Sequence, residues 1–187
     1  DFHSPYGCSK GAADQYVRDY ARIYNLKTLV FRQSCIYGTR QLGIEDQGWV
    51  AWFIIRILFG KPLTLYGTGK QVRDILFVDD LINAYEMAID NIEKTRGKIY
   101  NMGGGPENSL SLLEFIDFLG KLMGTNVKYD LADWRHGDQK IFIADTSLAK
   151  RDFGWTPKID YKTGIMKIYQ WLKENKNILD GIYSKVN

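Results

Sequence analysis

The sequence predicts an α/β fold with parallel strands. Three observations carry that prediction. Tyr6, Ala13, Tyr16, Val17, Tyr20, Ala21 and Tyr24 recur at the spacing of one helical face. Residues 27–32 follow after a short turn as a near-continuous apolar run, the pattern of a parallel strand buried on both faces. A second run of this kind, residues 98–102, stands between helical patterns and ends in Gly103-Gly104-Gly105.

The elements can be justified in order. Ser4 suits an N-cap, Pro5 suits the first helical turn, where its missing N–H costs nothing, and Asn25 suits the helix end. Residues 33–48 are polar, contain Gly38, Gly43 and Gly48, and read as a loop. They lie past the carboxyl end of the first strand, where open α/β sheets bind ligands. Residues 49–59 form a short apolar helix ended by Gly60 and Pro62, and residues 63–66 a short strand. Gly67-Thr68-Gly69 is a turn, residues 72–78 are extended, and Asp79 is the expected cap of a helix ending near Asn91. Ser109 or Ser111 caps the next helix, Ser111 having capping-box spacing to Glu114, and Gly124 closes it. Residues 127–131 and 141–144 read as extended around a charged loop at 132–139. A short helix closed by Gly154, Pro157 and a last helix from Tyr161 to about Asn175 complete the chain.

Composition excludes several classes. Of the 187 residues, 45% are hydrophobic and 25% charged, the balance of a globular chain with a real core. No apolar run approaches the length of a membrane span. The net charge of +3 is spread without a basic stripe, so no nucleic-acid partner is expected. Cys8 and Cys35 lack metal-ligand spacing and read as free thiols of a reducing compartment, the cytoplasm, with no metal expected. The chain opens on Asp1-Phe2-His3-Ser4-Pro5 with no methionine or signal peptide, as the middle of a longer protein would.

Tyr6 and Lys10 carry the first chemical signal. Four apart on a helix, they share a face. An ammonium beside a phenol favours the phenolate, which can accept a proton from an alcohol and return it. The pair alone is common by chance, with the tyrosine half-buried and the lysine solvated. A hydride acceptor would need a phosphate loop, and G-x-G-x-x-G is absent: Gly103-Gly104-Gly105 runs into Pro106, and Gly67 and Gly69 precede an extended run. Both read as turns, which puts the loop upstream of residue 1. Arg73 and Arg135 carry forks that suit the oxygens of a pyrophosphate, or equally a neighbouring carboxylate.

Taken in order, YGCSK, FRQSCIYG, GTGKQVRDILFVDD, YNMGGG, RHGD and IADTSLAKRDFGWTP resemble the carboxyl-terminal half of the extended short-chain dehydrogenase/reductase family, the NAD-dependent nucleotide-sugar epimerases and dehydratases. Residues 37–41 and 46–53 resemble most closely the CDP-paratose (CDP-tyvelose) 2-epimerases. The resemblance implies the C-terminal part of a Rossmann-type parallel sheet plus a smaller mixed α/β substrate-binding domain. Residues 1–34 and 72–104 would be the remnant of the NAD-binding domain, and residues 35–71 and 105–187 the nucleotide-sugar-binding domain. Tyr6 would be the acid/base, and Lys10 would hold the nicotinamide ribose. Gln33 and Ser34 would lie beside the nicotinamide. Arg73 and Arg135 would hold the diphosphate and Asp138 the nucleoside ribose. Leu65 and Tyr66 would border the base, and Cys35 and Gln47 would belong to the substrate site. Many relatives carry asparagine where Cys35 stands, so a usual substrate contact is altered. The family's catalytic serine or threonine would lie upstream, and the chain alone is expected to be inactive.

The implied activity is epimerisation at C2 of a nucleotide-sugar, CDP-paratose to CDP-tyvelose, by transient oxidation to a ketone and re-reduction with bound NAD, in a homo-oligomer formed through the helix of Tyr6 and Lys10. A 4-epimerase or 4,6-dehydratase of the same family, and a non-catalytic nucleotide-sugar-binding module, stay open as alternatives. A dehydratase would want an acid next to Tyr6, where Gly7 and Cys8 stand.

Overall fold

The computed structural model describes residues 4–183. Helix α1 (Pro5–Tyr24) begins where the residue types dictate: Ser4 accepts from the Gly7 N–H at 3.0 Å, and Asn25 ends the helix in the left-handed conformation. Strands β1 (Val30–Gln33) and β2 (Cys35–Tyr37) follow, then helix α2 (Trp49–Leu58), β3 (Leu63–Tyr66), β4 (Val72–Phe77), helices α3 (Val78–Asp90) and α4 (Ile92–Thr95), and β5 (Ile99–Met102). A 3-10 turn at Pro106–Asn108 leads to β6 (Ser109–Ser111), α5 (Leu112–Met123), β7 (Tyr129–Ala132), β8 (Ile141–Phe142), α6 (Ser147–Phe153), α7 (Tyr161–Glu174) and α8 (Lys176–Tyr183).

The two runs that predicted the fold class pair with each other. β1 and β5 are parallel, in register from Val30 opposite Ile99 to Gln33 opposite Met102. β4 joins the other strands: its carboxyl-terminal half pairs parallel with β2, and its first residues pair antiparallel with β6 and parallel with β8. β3 and β7 form a separate parallel pair.

Two apolar clusters hold these layers. α2 is apolar nearly all round, so it is buried nearly all round. Its residues from Val50 to Ile55 pack with Leu63 and Leu65 of β3, Phe115 and Leu119 of α5, and Ile165 and Ile168 of α7. Each such Ile, Leu or Phe contributes about 1.5–3 kcal/mol by leaving water. The second cluster joins Leu81 and Ala84 of α3, Tyr100 and Met102 of β5, and Ala149, Phe153 and Trp155 of α6 and its exit. Asp152 clamps α6 to β5: Lys98 at 2.8 Å, Arg151 at 2.9 Å and the Tyr100 hydroxyl at 3.0 Å hold its carboxyl down to about 2.

Several details differ from the sequence reading. The aromatic stripe of α1 is exposed, with Tyr16, Tyr20, Ile23 and Tyr24 all at least half open, and only Gly11 and Asp14 of the helix are buried. Periodicity identified the helix but not what its apolar face meets. The 33–48 loop contains β2, too short to show a pattern. α3 starts at Val78 without a side-chain cap; Asp79 lies in its first turn, and the buried Asp80 instead accepts from the Lys158 and Ile159 N–H groups at 3.0 and 2.9 Å. The Asn175 side chain accepts no continuation of α7: it donates to the Trp171 carbonyl at 2.8 Å, and the chain restarts as α8.

The three glycines after β5 are a close-approach device. A Cβ on Gly103 would lie 2.1 Å from Asp74 Oδ2, and one on Gly104 would lie 2.1 Å from the Ile75 carbonyl oxygen. The strand exit therefore lies directly on β4. Gly104→Ala, whose obstacle is backbone, should lower unfolding free energy by about 1–3 kcal/mol, the usual cost of overpacking. Denaturant unfolding measures this, and unchanged stability would contradict the close approach.

Candidate functional site

The site begins with the alternation of side chains along β4. Successive residues point to opposite faces. Asp74 turns inward and is fully buried. Its Oδ2 accepts from the Gly105 N–H at 3.1 Å and the Ala144 N–H at 3.2 Å, and its Oδ1 accepts from the Ser34 hydroxyl. Arg73 turns to the other face and reaches a cavity of about 490 Å³.

Arg135, far away in sequence, lines the same cavity, so the structure brings the two arginines together. Arg73 Nη2 meets Asp138 Oδ1 at 2.5 Å, and Arg73 Nη1 donates to its neighbour's carbonyl, Val72 O, at 2.8 Å. The Arg135 guanidinium lies over the Tyr66 ring, 3.8 Å from its centroid, and meets Asp46 Oδ1 at 3.1 Å. Gln47, Tyr66 and Asp138 are on the cavity wall as well.

Tyr6 lines this cavity from α1 and also lines a second one, of about 900 Å³, beside β1. Lys10 and Gln33 line the second cavity. The Lys10 ammonium is 5.4 Å from the centroid of the Tyr6 ring. Tyr6 is 72% exposed, so its hydroxyl is within reach of a bound molecule. The Gln33 side chain donates to the Tyr85 hydroxyl at 2.7 Å.

Three of the expected site residues are not brought to these walls as side chains. Leu65 is fully buried, because strand alternation turns Thr64 and Tyr66 to the cavity and Leu65 to the core. Ser34 is bound to Asp74 and fixes the end of β1. Cys35 stands behind Trp49, whose indole N–H donates to its sulfur at 3.4 Å. Burial pushes the Cys35 thiol up, with the Trp49 hydrogen bond opposing.

Sequence reasoning missed other cavity residues. Glu45, Asp46, Trp49, Gln71 and His136 all line the arginine cavity. The N-terminus of α2 opens there too, with Gly48 as N-cap at φ 77° and no side-chain cap, which leaves its first-turn N–H groups favourable to an anion. The glycine-rich loop past β1 was the available signal; it located the region and not the residues. Among the described residues, no group of three or more His, Cys, Asp or Glu is arranged to hold a metal, and no helix is long and apolar enough to cross a membrane.

Two arginines, a helix N-terminus and a phenol thus line one cleft of an α/β fold whose strands are mostly parallel. The chain belongs to the NAD dependent epimerase/dehydratase family, which matches residues 1–103. It is 47% identical over 176 residues to the CDP-paratose 2-epimerase of Salmonella typhi, covering 91% of this chain and 52% of that one. Its fold matches the UDP-glucose 4-epimerase of Thermotoga maritima, solved with UDP-glucose, at a TM-score of 0.85 and 31% identity, over 92% of this chain and 54% of that one. The UDP-glucuronic acid 4-epimerase of Bacillus cereus, solved with UDP-glucuronic acid and NAD, matches at 0.84 and 27%, over 92% and 53%. The chain spans about half the length of the curated relatives it matches.

The two cysteines should differ in reactivity. Cys8 is exposed on α1, whereas burial both shields the Cys35 thiol and keeps it protonated. Limited alkylation with iodoacetamide at neutral pH, read by peptide mass spectrometry, should label Cys8 first. Faster labelling of Cys35 would contradict the packing of Trp49 over it.

Proposed function

We propose that the protein to which this chain belongs is an NAD-dependent nucleotide-sugar epimerase that converts CDP-paratose to CDP-tyvelose. The reaction is oxidation of C2 to a ketone and re-reduction on the opposite face. The observation that carries the reading is the position of Tyr6, which lines both the arginine cavity and the Lys10 cavity. A phenol at that junction can exchange a proton with a sugar held on one side while a cofactor lies on the other. The choice of CDP-paratose is supported by the 47% identity to an enzyme named for that substrate.

Each residue then has a task. Tyr6 takes the C2 hydroxyl proton and later returns it. Lys10 supplies positive charge beside the Tyr6 ring and a donor for the nicotinamide ribose. Arg73, Arg135 and the α2 N-terminus hold the diphosphate, with Asp138 near the nucleoside ribose and Tyr66, beside Thr64, at the base. Gln47 closes the substrate side. NAD, held at Tyr6, Lys10 and Gln33, would supply a reversible hydride acceptor for C2. The residues present fit its nicotinamide end: Tyr6, Lys10 and Gln33 line one cavity. Ser34 contributes by holding the strand end, through Asp74, and Cys35 by its hydrogen bond from Trp49.

On this reading residues 1–34 and 72–104 serve the cofactor, and residues 35–71 and 105–187 the nucleotide-sugar, with Arg73 reaching across. The exposed aromatic face of α1 supports a homo-oligomer, and the free thiols suit the cytoplasm.

In the whole protein, Tyr6→Phe should leave CDP binding intact and lower turnover by about 10²–10⁴-fold, the share of a positioned acid or base. A product assay with CDP-paratose measures it; full activity would reject Tyr6 as the proton carrier. Arg73→Lys should weaken binding of CDP about tenfold, because the point charge of lysine cannot replace a bidentate fork. Unchanged affinity in a titration would remove Arg73 from the diphosphate site.

A further inference from the structure

Two carboxylates that the reading above leaves unused reach one wall of the arginine cavity. Backbone hydrogen bonds run both ways between Ile44 and Gln47, at 2.9 and 3.1 Å, so residues 44–47 make a tight turn with Glu45 and Asp46 at its tip. Glu45 Oε1 accepts from the Tyr66 hydroxyl at 3.1 Å. Asp46 Oδ1 meets Arg135 at 3.1 Å. The turn is thus fastened at two points to the Tyr66–Arg135 stack. Its base is pinned: a Cβ on Gly43 would lie 2.5 Å from both the Gly48 carbonyl oxygen and the Trp52 nitrogen, so this backbone lies directly on the start of α2.

The two arginines differ in how firmly they are held. Arg73 and Asp138 are a close pair, with the arginine side chain only 13% exposed. Asp46 is 85% exposed and offers Arg135 one oxygen at 3.1 Å. An exposed pair of that kind is weak and exchangeable. A diphosphate brings more negative charge and fork-matching oxygens. It also repels a carboxylate left beside it.

We propose that Asp46 is a latch displaced by substrate: its carboxylate and the diphosphate of a nucleoside diphosphate compete for Arg135. Binding transfers Arg135 from Asp46 to the diphosphate, and the freed Asp46 carboxylate turns to solvent while the base of the turn stays on α2. Glu45 stays on the Tyr66 hydroxyl and so keeps Asp46 in place to pair again when the diphosphate leaves. This inference rests on the reading of Arg135 as a diphosphate ligand.

The test is calorimetric titration of the whole protein with CDP at one ionic strength. Asp46→Asn should bind CDP about two- to fivefold more tightly, a gain of the size of one exposed ion pair. The exposure of Asp46 makes the variant safe to fold. Arg135→Lys, measured beside it, should bind more weakly. Weaker or unchanged binding by Asp46→Asn, with Arg135→Lys still weakened, would overturn the latch and leave the diphosphate site standing. Unchanged binding by Arg135→Lys would overturn the site reading and the latch with it.

Discussion

The carboxylate of Asp74 ties together the parts on which the site depends. It is fully buried and accepts hydrogen bonds from three separate segments: Ser34 at the end of β1, Gly105 after β5, and Ala144 after β8. A buried carboxylate is costly without such donors, and removing them would leave an uncompensated charge. The same strand alternation that turns Asp74 inward turns Arg73 to the cavity. The position of a cavity-facing arginine is therefore set by a structural interaction one residue away. The close glycines follow from the same constraint, since Gly103 touches this carboxylate and Gly104 touches the carbonyl next along β4.

The cavity itself is built of opposed charges. Arg73 and Arg135 face Asp138, Asp46 and Glu45, and Tyr66 supplies the surface on which Arg135 stacks. The Arg73 guanidinium, held by Asp138, and the Arg135 guanidinium, stacked on Tyr66, are oriented before any ligand arrives, which reduces what must be ordered on binding. Tyr6 enters the lining of this cavity from α1, with the Lys10 ammonium over its ring. The proposed chemistry divides the work between them: the arginines anchor the remote part of the substrate, and the reacting carbon is left to the phenol.

Much of this was legible in the residues. The near-continuous apolar runs identified β1 and β5 as strands of parallel type, though not that they pair directly, and the Ser4, Ser111 and Gly124 signals placed helix ends where they occur. The fork chemistry of Arg73 and Arg135 was readable from the residues themselves, whereas their convergence on one cleft was expected only through the family resemblance, because it depends on how β4 and the 133–140 loop meet. Leu65 and Thr64 show the limit at single-residue scale. Both lie on one short strand, and only its packing against α2 decides which face is core. The exposed tyrosines of α1 show it at the scale of an element, since a helical period does not reveal what covers the stripe. Asp46 was invisible for a different reason: its significance lies in a contact across the cavity, with no spacing rule behind it.

The central claim is that a hydride leaves one sugar carbon and returns to it, with Tyr6 moving only the hydroxyl proton. The most direct test uses the whole protein with CDP-paratose carrying deuterium at C2. The account predicts CDP-tyvelose that keeps the deuterium at C2, and unlabelled substrate turned over in heavy water should acquire none there. Loss of the label to solvent, or uptake of solvent deuterium at C2, would show that the carbon-bound hydrogen leaves as a proton and would contradict the account.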